Sequence, residues 1–252
     1  YSTYSYNDIV RFHRIYCKSV SETNSAFKID QAQSLHLTKV LRLAVNDEVE
    51  VFDGHGSSAI CKILESNRSS VSLERVSDIK IGKSLTNRLG FMLPFIKKEN
   101  FHFMIQKLCE IGATEFIFYK PDLIDQSIAK KDLSKIYSKS EEVIISACKQ
   151  CGSNFLPITS FVSSLSDGIK KLDQSSTKYV FDLEASDIFD VSAIKSNNIF
   201  VITGPESGFS KSEINQMYEK DFSFKLISKN ILRAETAPLV IASLFQNHFD
   251  KI

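Results

Sequence analysis

A change of period near residues 77–87 constrains this chain more than any other feature. Beyond it, short apolar runs alternate with amphipathic stretches of helical period. Leu89 to Phe95 reads as a strand. Lys98 to Ile111 reads as a helix, with Phe101, Met104, Ile105, Leu108 and Ile111 on one stripe and Gly112 as its stop. Further strands are predicted over Glu115 to Tyr119, Pro157 to Phe161, Lys178 to Leu183, Ile199 to Thr203 and Phe222 to Ile227. Helices are predicted over Lys131 to Gln150, from Ser210 onward, and over Thr236 to Phe249. Ser210 with Glu213 three residues on forms a capping box. Repeated β-α-β units build a mainly parallel α/β sheet with helices on both faces.

Before the change the chain reads as β. Arg11 to Tyr16, Glu48 to Phe52, Ser58 to Leu64 and Ser70 to Val76 are predicted strands, with Val49 and Val51 on one face. Asn46-Asp47, Asp53-Gly54 and Ser66-Asn67 supply turns. One short helix interrupts, starting near Asp30, which with Gln33 suits an N-cap and its partner. Short strands so spaced favour a small barrel. The expected domains are therefore residues 1–80, a β-barrel, and residues 81–252, an α/β domain.

Composition narrows the function class. With 252 residues, 43% apolar and 24% charged, the chain is long enough for two ordinary domains and too apolar for extended disorder. No apolar run approaches a bilayer span, and the start, Tyr1 to Tyr6, is no signal peptide, which points to the cytoplasm. A net charge of +1 is no nucleic-acid signature in itself. Residues 81–150, however, hold eleven basic side chains against eight acidic, among them Lys97, Lys98, Lys130, Lys131, Lys135 and Lys139. Phosphate binding needs only such a local patch, although a solvated helix face explains the same lysines. The cysteines, Cys17, Cys61, Cys109, Cys148 and Cys151, are odd in number and without secretory context, so no disulfide framework is expected. Cys148 and Cys151 lack a second ligand pair and read as small buried thiols, not as a metal site. None of the five histidines has the partners of a nucleophilic triad.

In open parallel sheets, ligands bind in loops beyond the carboxyl ends of the strands. Two such loops stand out. The first is Thr203-Gly204-Pro205-Glu206-Ser207-Gly208-Phe209, whose glycines let main-chain amides approach a ligand. It is neither a P-loop, since no Gly-Lys-Ser/Thr follows, nor a GxGxxG dinucleotide loop. The second runs from Asn230 to Pro238, where Thr236 can cap the last helix and Pro238 fits its first turn. Arg233 and Glu235 stand there between sheet edge and helix start, as functional groups or as a structural ion pair.

Together, Gly204-Pro205-Glu206-x-Gly208-Phe209 and Ile231-Leu232-Arg233-x-Glu235-Thr236-Ala237 resemble the signature of the RsmE family, the bacterial small-subunit ribosomal RNA uridine-N3 methyltransferases of the knotted SPOUT class. His36 to Leu43 and Asp47 to Gly54 resemble the family's N-terminal barrel motif, and Gln106 to Gly112 its QK-x-x-ELG helix. The resemblance thus spans nearly the whole chain in the family's order. It implies a PUA-like RNA-binding barrel in residues 1–80 and a SPOUT trefoil-knot methyltransferase domain in residues 81–252, assembled as a homodimer. It also implies S-adenosyl-L-methionine as cofactor, and 16S ribosomal RNA, in the assembled small subunit, as substrate. Carried over residue by residue, the cofactor would be held by Leu183, by Thr203, Gly204, Pro205, Glu206 and Gly208, by Leu226, Ile227, Ser228, Ile231 and Leu232, and by Thr236 and Ala237. Arg233 and Glu235 would be catalytic, with Arg42, Lys39 and His36 on the RNA side and no metal. The last helix carries Leu239, Val240, Ile241, Leu244, Phe245 and Phe249, an arc wide enough for a dimer face or for deep burial within one chain.

Departures from the pattern fall at Ser207, where a glycine is expected, at Ser153 and Gln126-Ser127, where arginines are, and at Ile227-Ser228, for Leu-Gly. They affect RNA contacts more than the cofactor loops. They also keep two other readings in view: a non-catalytic RNA-binding or ribosome-assembly factor, and a transfer-RNA methyltransferase of the same fold.

Overall fold

The four strands expected in the first eighty residues form one sheet together with two further strands of two residues each, which were not expected. In the computed structural model, which describes residues 12–20, 22, 26–67 and 70–249, these are β1 (His13–Tyr16), β2 (Phe27–Lys28), β3 (Glu48–Phe52), β4 (Ser57–Ser66), β5 (Val71–Arg75) and β6 (Lys80–Ile81). Arg11, expected to open the first strand, lies outside the described residues. The order is β1-β3-β4-β5-β2, with β6 on β4. β1 runs parallel to β3, and the other pairs are antiparallel. Val49 and Val51, Cys61 and Ile63, and Val71 and Leu73 turn into one core. Helix α1 (Gln31–Leu35) starts where Asp30 accepts from the Gln33 amide at 2.8 Å. It runs into a π-helical turn, His36–Val40, that sets Leu37 into the same core. Buried Ser34 fastens helix to sheet, donating to the Asp30 carbonyl (2.8 Å) and accepting from the Val71 amide (3.1 Å).

The chain divides into two compact units between Ser84 and Leu85. The second unit contains β7 (Arg88–Pro94), α2 (Lys98–Ile111), β8 (Glu115–Tyr119), α3 (Gln126–Ala129), α4 (Leu133–Cys151), β9 (Ile158–Val162), α5 (Leu165–Lys171), β10 (Thr177–Phe181), β11 (Asn198–Thr203), α6 (Lys211–Glu219), β12 (Ser223–Lys225) and α7 (Ala237–His248). Its six strands are all parallel, in the order β12-β10-β11-β7-β8-β9. Every residue from Leu89 to Pro94 and from Ile199 to Thr203 is buried, as expected of strands covered by helices on both faces. A ring cluster of Phe95, Phe101, Phe116, Phe118 and Tyr137 fills the space between β8 and the helices α2 and α4.

Several local expectations need correcting. α4 starts at Leu133 and not at Lys131, because the Asp132 carboxylate accepts from the Ser134 and Lys135 amides and fixes the helix start there. α5 was not expected. Seven residues are too few for a helical period to show, and Gly168 inside it weakens the pattern. That glycine is needed for packing, since a Cβ there would lie 2.8 Å from the Met92 side chain. Of the two neighbouring thiols, Cys148 is buried but Cys151 is exposed. On α7, Ile241 and Phe245 are buried, Leu239 and Leu244 half-buried, and Val240 exposed. The helix also buries Gln246, whose amide donates to the Gly112 carbonyl at 2.6 Å and ties α7 to the end of α2. Among the described residues, no helix is long and apolar enough to cross a membrane.

Candidate active site

Strands β12, β10 and β11 are neighbours, so the segments leaving their carboxyl ends meet above one edge of the sheet. They enclose a cavity of about 380 Å³. Phe181 to Glu184 line it from β10, Thr203 to Phe209 from β11, and Leu226, Ile227 and Asn230 to Leu232 from β12. Ile214, Ala234 and Ala237 complete the wall.

The Thr203–Phe209 loop is anchored at both ends to the end of β8. At its start, the buried Tyr119 hydroxyl donates to the Thr203 carbonyl at 3.1 Å. Burial, reinforced by the Glu213 and Asp122 carboxylates, holds the Tyr119 phenol well above its ordinary pKa, so it stays a donor. At the far end Ser210 and Glu213 cap α6 reciprocally, at 3.1 and 2.8 Å. Glu213 also accepts from the Asp122 amide (3.1 Å), and the Ser210 hydroxyl donates to Asp122 Oδ2 (2.6 Å). Burial raises the Glu213 carboxyl above its usual range. Within the loop, Gly208 donates to the Pro205 carbonyl at a φ of 73°, which favours glycine. A Cβ at Gly204 would come within 3.2 Å of the Phe209 ring, which is itself part of the core. Thr203 Oγ1 is buried without a hydrogen-bond partner.

The other two loops brace each other. Asp182 donates its amide to the Lys225 carbonyl, Leu226 to that of Asp187, and Phe189 to that of Leu226. Phe189 rests on Phe181 and Phe245, with ring centroids 5.1 Å apart in each pair. The path then turns into α7 through the Thr236 and Ala237 amides, which both donate to the Arg233 carbonyl. Thr236 makes no side-chain cap, contrary to expectation, because the backbone turn already occupies that place.

Of the expected cofactor residues, Leu183, Thr203, Gly204, Pro205, Glu206, Gly208, Leu226, Ile227, Ile231, Leu232 and Ala237 line the cavity. Ser228 and Thr236 are not in its wall, and the Ser228 hydroxyl accepts from the Asn230 amide. Phe209, Asn230 and Ala234 belong to the two loops singled out in the sequence, whereas Phe181, Asp182, Glu184 and Ile214 were not anticipated. For Asp182 the signal was masked by a strand expected to reach Leu183, whereas β10 stops at Phe181. Arg233 and Glu235 flank the wall residue Ala234 and do not line the cavity themselves. Arg233 has an 83% exposed side chain, 3.9 Å from the nearly buried Glu235 carboxylate. Glu235 Oε2 is buried with no partner. In the N-terminal unit, Lys39 and Arg42 are exposed and His36 half-buried, all within or just beyond the π-helical turn. Among the described residues, no group of His, Cys, Asp and Glu could hold a metal ion.

Comparison with known proteins bears on what such a cavity serves. A family model described as an RNA methyltransferase domain matches residues 83–246, and one described as an RNA methyltransferase PUA domain matches residues 29–74. Ribosomal RNA small subunit methyltransferase E of Buchnera aphidicola is 27% identical over 250 residues, covering 95% of this chain and 97% of that protein. The solved protein of the same name from Neisseria gonorrhoeae, bound to S-adenosyl methionine, is similar in fold with a TM-score of 0.82 at 22% identity, over 94% of this chain and 98% of that one. A protein of Thermotoga maritima described as a predicted RNA methyltransferase matches with a TM-score of 0.74 at 25% identity, over 95% of this chain and 100% of that one.

Proposed function

Since this chain belongs to the RNA methyltransferase family, we propose that it methylates N3 of a uridine in 16S ribosomal RNA of the small subunit, with S-adenosyl-L-methionine as methyl donor. The observation that carries this reading is one cavity walled by three strand-end loops, with an exposed arginine at its rim. The residues fit the cofactor. The cavity lies in the size range of small-molecule sites, its wall is mostly apolar or backbone, and the orphaned Thr203 Oγ1 offers a polar contact. The curated Buchnera relative carries a small-subunit ribosomal RNA methyltransferase name over nearly its whole length, which supports the substrate class.

When bound, S-adenosylmethionine supplies the methyl group on a sulfonium leaving group. Arg233, outside the cavity wall and open to solvent, is free to meet the acceptor base, where a cation stabilises the anion that develops at N3. Glu235, its Oε1 3.9 Å from that arginine, orients it, and its buried Oε2, without a hydrogen-bond partner, has an acceptor to spare for a proton. The cavity wall holds the other reactant, so catalysis gains from in-line placement. Residues 1–80 take the RNA-binding role, with Lys39, Arg42 and His36 toward phosphate, and residues 81–252 the transfer. Two copies pair through α7, whose Val240 is exposed and whose Leu239 and Leu244 are half-buried. The ribosomal substrate places the work in the cytoplasm.

Labelled methyl transfer to assembled small subunits, naked ribosomal RNA and transfer RNA tests the proposal. Label at N3 of a uridine in the small-subunit RNA is expected. Transfer confined to transfer RNA would overturn the substrate, and cofactor binding without transfer to any RNA would overturn the enzyme assignment.

A further inference from the structure

The wall of the cavity is uneven in charge. Among the described residues it includes three acidic residues, Asp182, Glu184 and Glu206, and no Lys, Arg or His. Three basic residues adjoin the wall in sequence without entering it: Lys225 pairs with Asp187 at 3.3 Å, Arg233 stands 3.9 Å from Glu235 with its side chain 83% exposed, and Lys229 is exposed. The carboxylates come from two separate loops, after β10 and after β11, that face one space. Asp182 is fixed by accepting from the Glu184 amide at 2.8 Å. That the space takes a ligand is indicated independently by the buried, unpartnered Thr203 Oγ1 in the same wall.

We propose that Asp182, Glu184 and Glu206 make this cavity charge-selective, favouring the cationic sulfonium of S-adenosylmethionine over the neutral thioether S-adenosylhomocysteine. The inference rests on the S-adenosylmethionine reading above and adds a specificity determinant to it. In the transfer, the methyl carbon–sulfur bond breaks with its electron pair left on sulfur, the N3–carbon bond forms, and the N3 proton passes to solvent. The ligand therefore loses one positive charge, while adenine, ribose and the amino-acid end stay the same. An acidic wall attracts the ligand before transfer and loses most of that attraction afterward, so the product is released and does not block the site. Three carboxylates at a solvent-open mouth amount to a preference of about tenfold at low salt, by Coulomb's law in a water-like dielectric. Salt screens it.

Calorimetric dissociation constants on the full chain test the proposal, for S-adenosylmethionine, for S-adenosylhomocysteine, and for sinefungin, which carries an amine at the sulfonium position. The homocysteine-to-methionine ratio is expected to be about tenfold in the wild type at low salt and about twofold at high salt. It should also fall to about twofold in the combined variant Asp182→Asn, Glu184→Gln, Glu206→Gln, with sinefungin following the methionine form throughout. Groups that merely held the shared parts of the ligands would weaken all three equally. A ratio unmoved by both salt and the triple variant overturns the inference while leaving the cofactor assignment standing. The salt series on the wild type decides the matter if the variant does not fold. Failure of the wild type to bind any of the three ligands would instead overturn the cofactor reading, and this inference with it.

Discussion

Along β5 buried and outward residues alternate, from Val71 through Leu73 to Arg75, whereas along β7 the run from Leu89 to Pro94 is buried without a break. The N-terminal sheet keeps one side of its strands for solvent, and so has side chains to offer a large partner over a surface. The C-terminal sheet spends both faces of its central strands β7 and β11 on packing, and these have nothing left to present. Chemistry there moves to the loops beyond the strand ends, where β12, β10 and β11 bring three of them together. A surface suits an extended polyanion and an enclosed cavity suits a small ligand, which is the division of labour proposed for the two units.

Four sets of substitutions test this contrast. The largest effect is expected in the doubly covered sheet. Phe118 is fully buried against Phe95, Phe101, Phe116 and Tyr137. Phe118→Ala should cost about 3–5 kcal/mol in denaturant unfolding followed by circular dichroism. A loss below about 1 kcal/mol would mean that this cluster repacks easily and that the parallel sheet is less rigid than its burial implies.

Next comes the rim of the cavity. Arg233→Ala should slow methyl transfer by about a hundred- to a thousand-fold, corresponding to roughly 3–4 kcal/mol, with the calorimetric affinity for S-adenosylmethionine nearly unchanged. Arg233→Lys should recover only part of the rate, because an ammonium lacks the planar fork. Cofactor affinity and rate falling in step would make Arg233 a pocket residue, and full activity would leave the pair with Glu235 merely structural.

A smaller change is expected in the N-terminal unit from Ser34→Ala. It removes the buried hydroxyl that accepts from the Val71 amide and donates to the Asp30 carbonyl, at a cost of about 1–2 kcal/mol. Methyl-donor affinity should not follow. If it does, the two units are not independent in the way the contrast requires.

Smallest is the surface itself. Lys39→Ala with Arg42→Ala should weaken RNA binding several-fold and flatten its salt dependence by about one unit of slope per lost phosphate contact. Stability and cofactor affinity should hold. An unchanged salt slope would take these two residues out of the RNA path.

Wherever the information is local, the amino-acid sequence was sufficient. The span of α2 and its left-handed stop at Gly112 follow from one apolar stripe and one glycine, and the Ser210–Glu213 capping box lies within four residues. Loop residues such as Gly204 and Leu232 could be assigned to a binding site because parallel sheets put their sites beyond strand ends. Short α5 and the true end of β10 were not legible, since a few residues carry too little period to mark a boundary, and the carboxylate at 182 was missed with it. Tertiary structure alone decided the rest. That Tyr119 reaches Thr203 across 84 residues, that Glu213 receives the Asp122 amide across 91, and that polar Gln246 is buried against Gly112 are results of strand order. Strand order is selected by packing the whole sheet at once. No window of sequence contains the partner, so local pattern names the loops and only the assembled sheet determines which of them share a cavity.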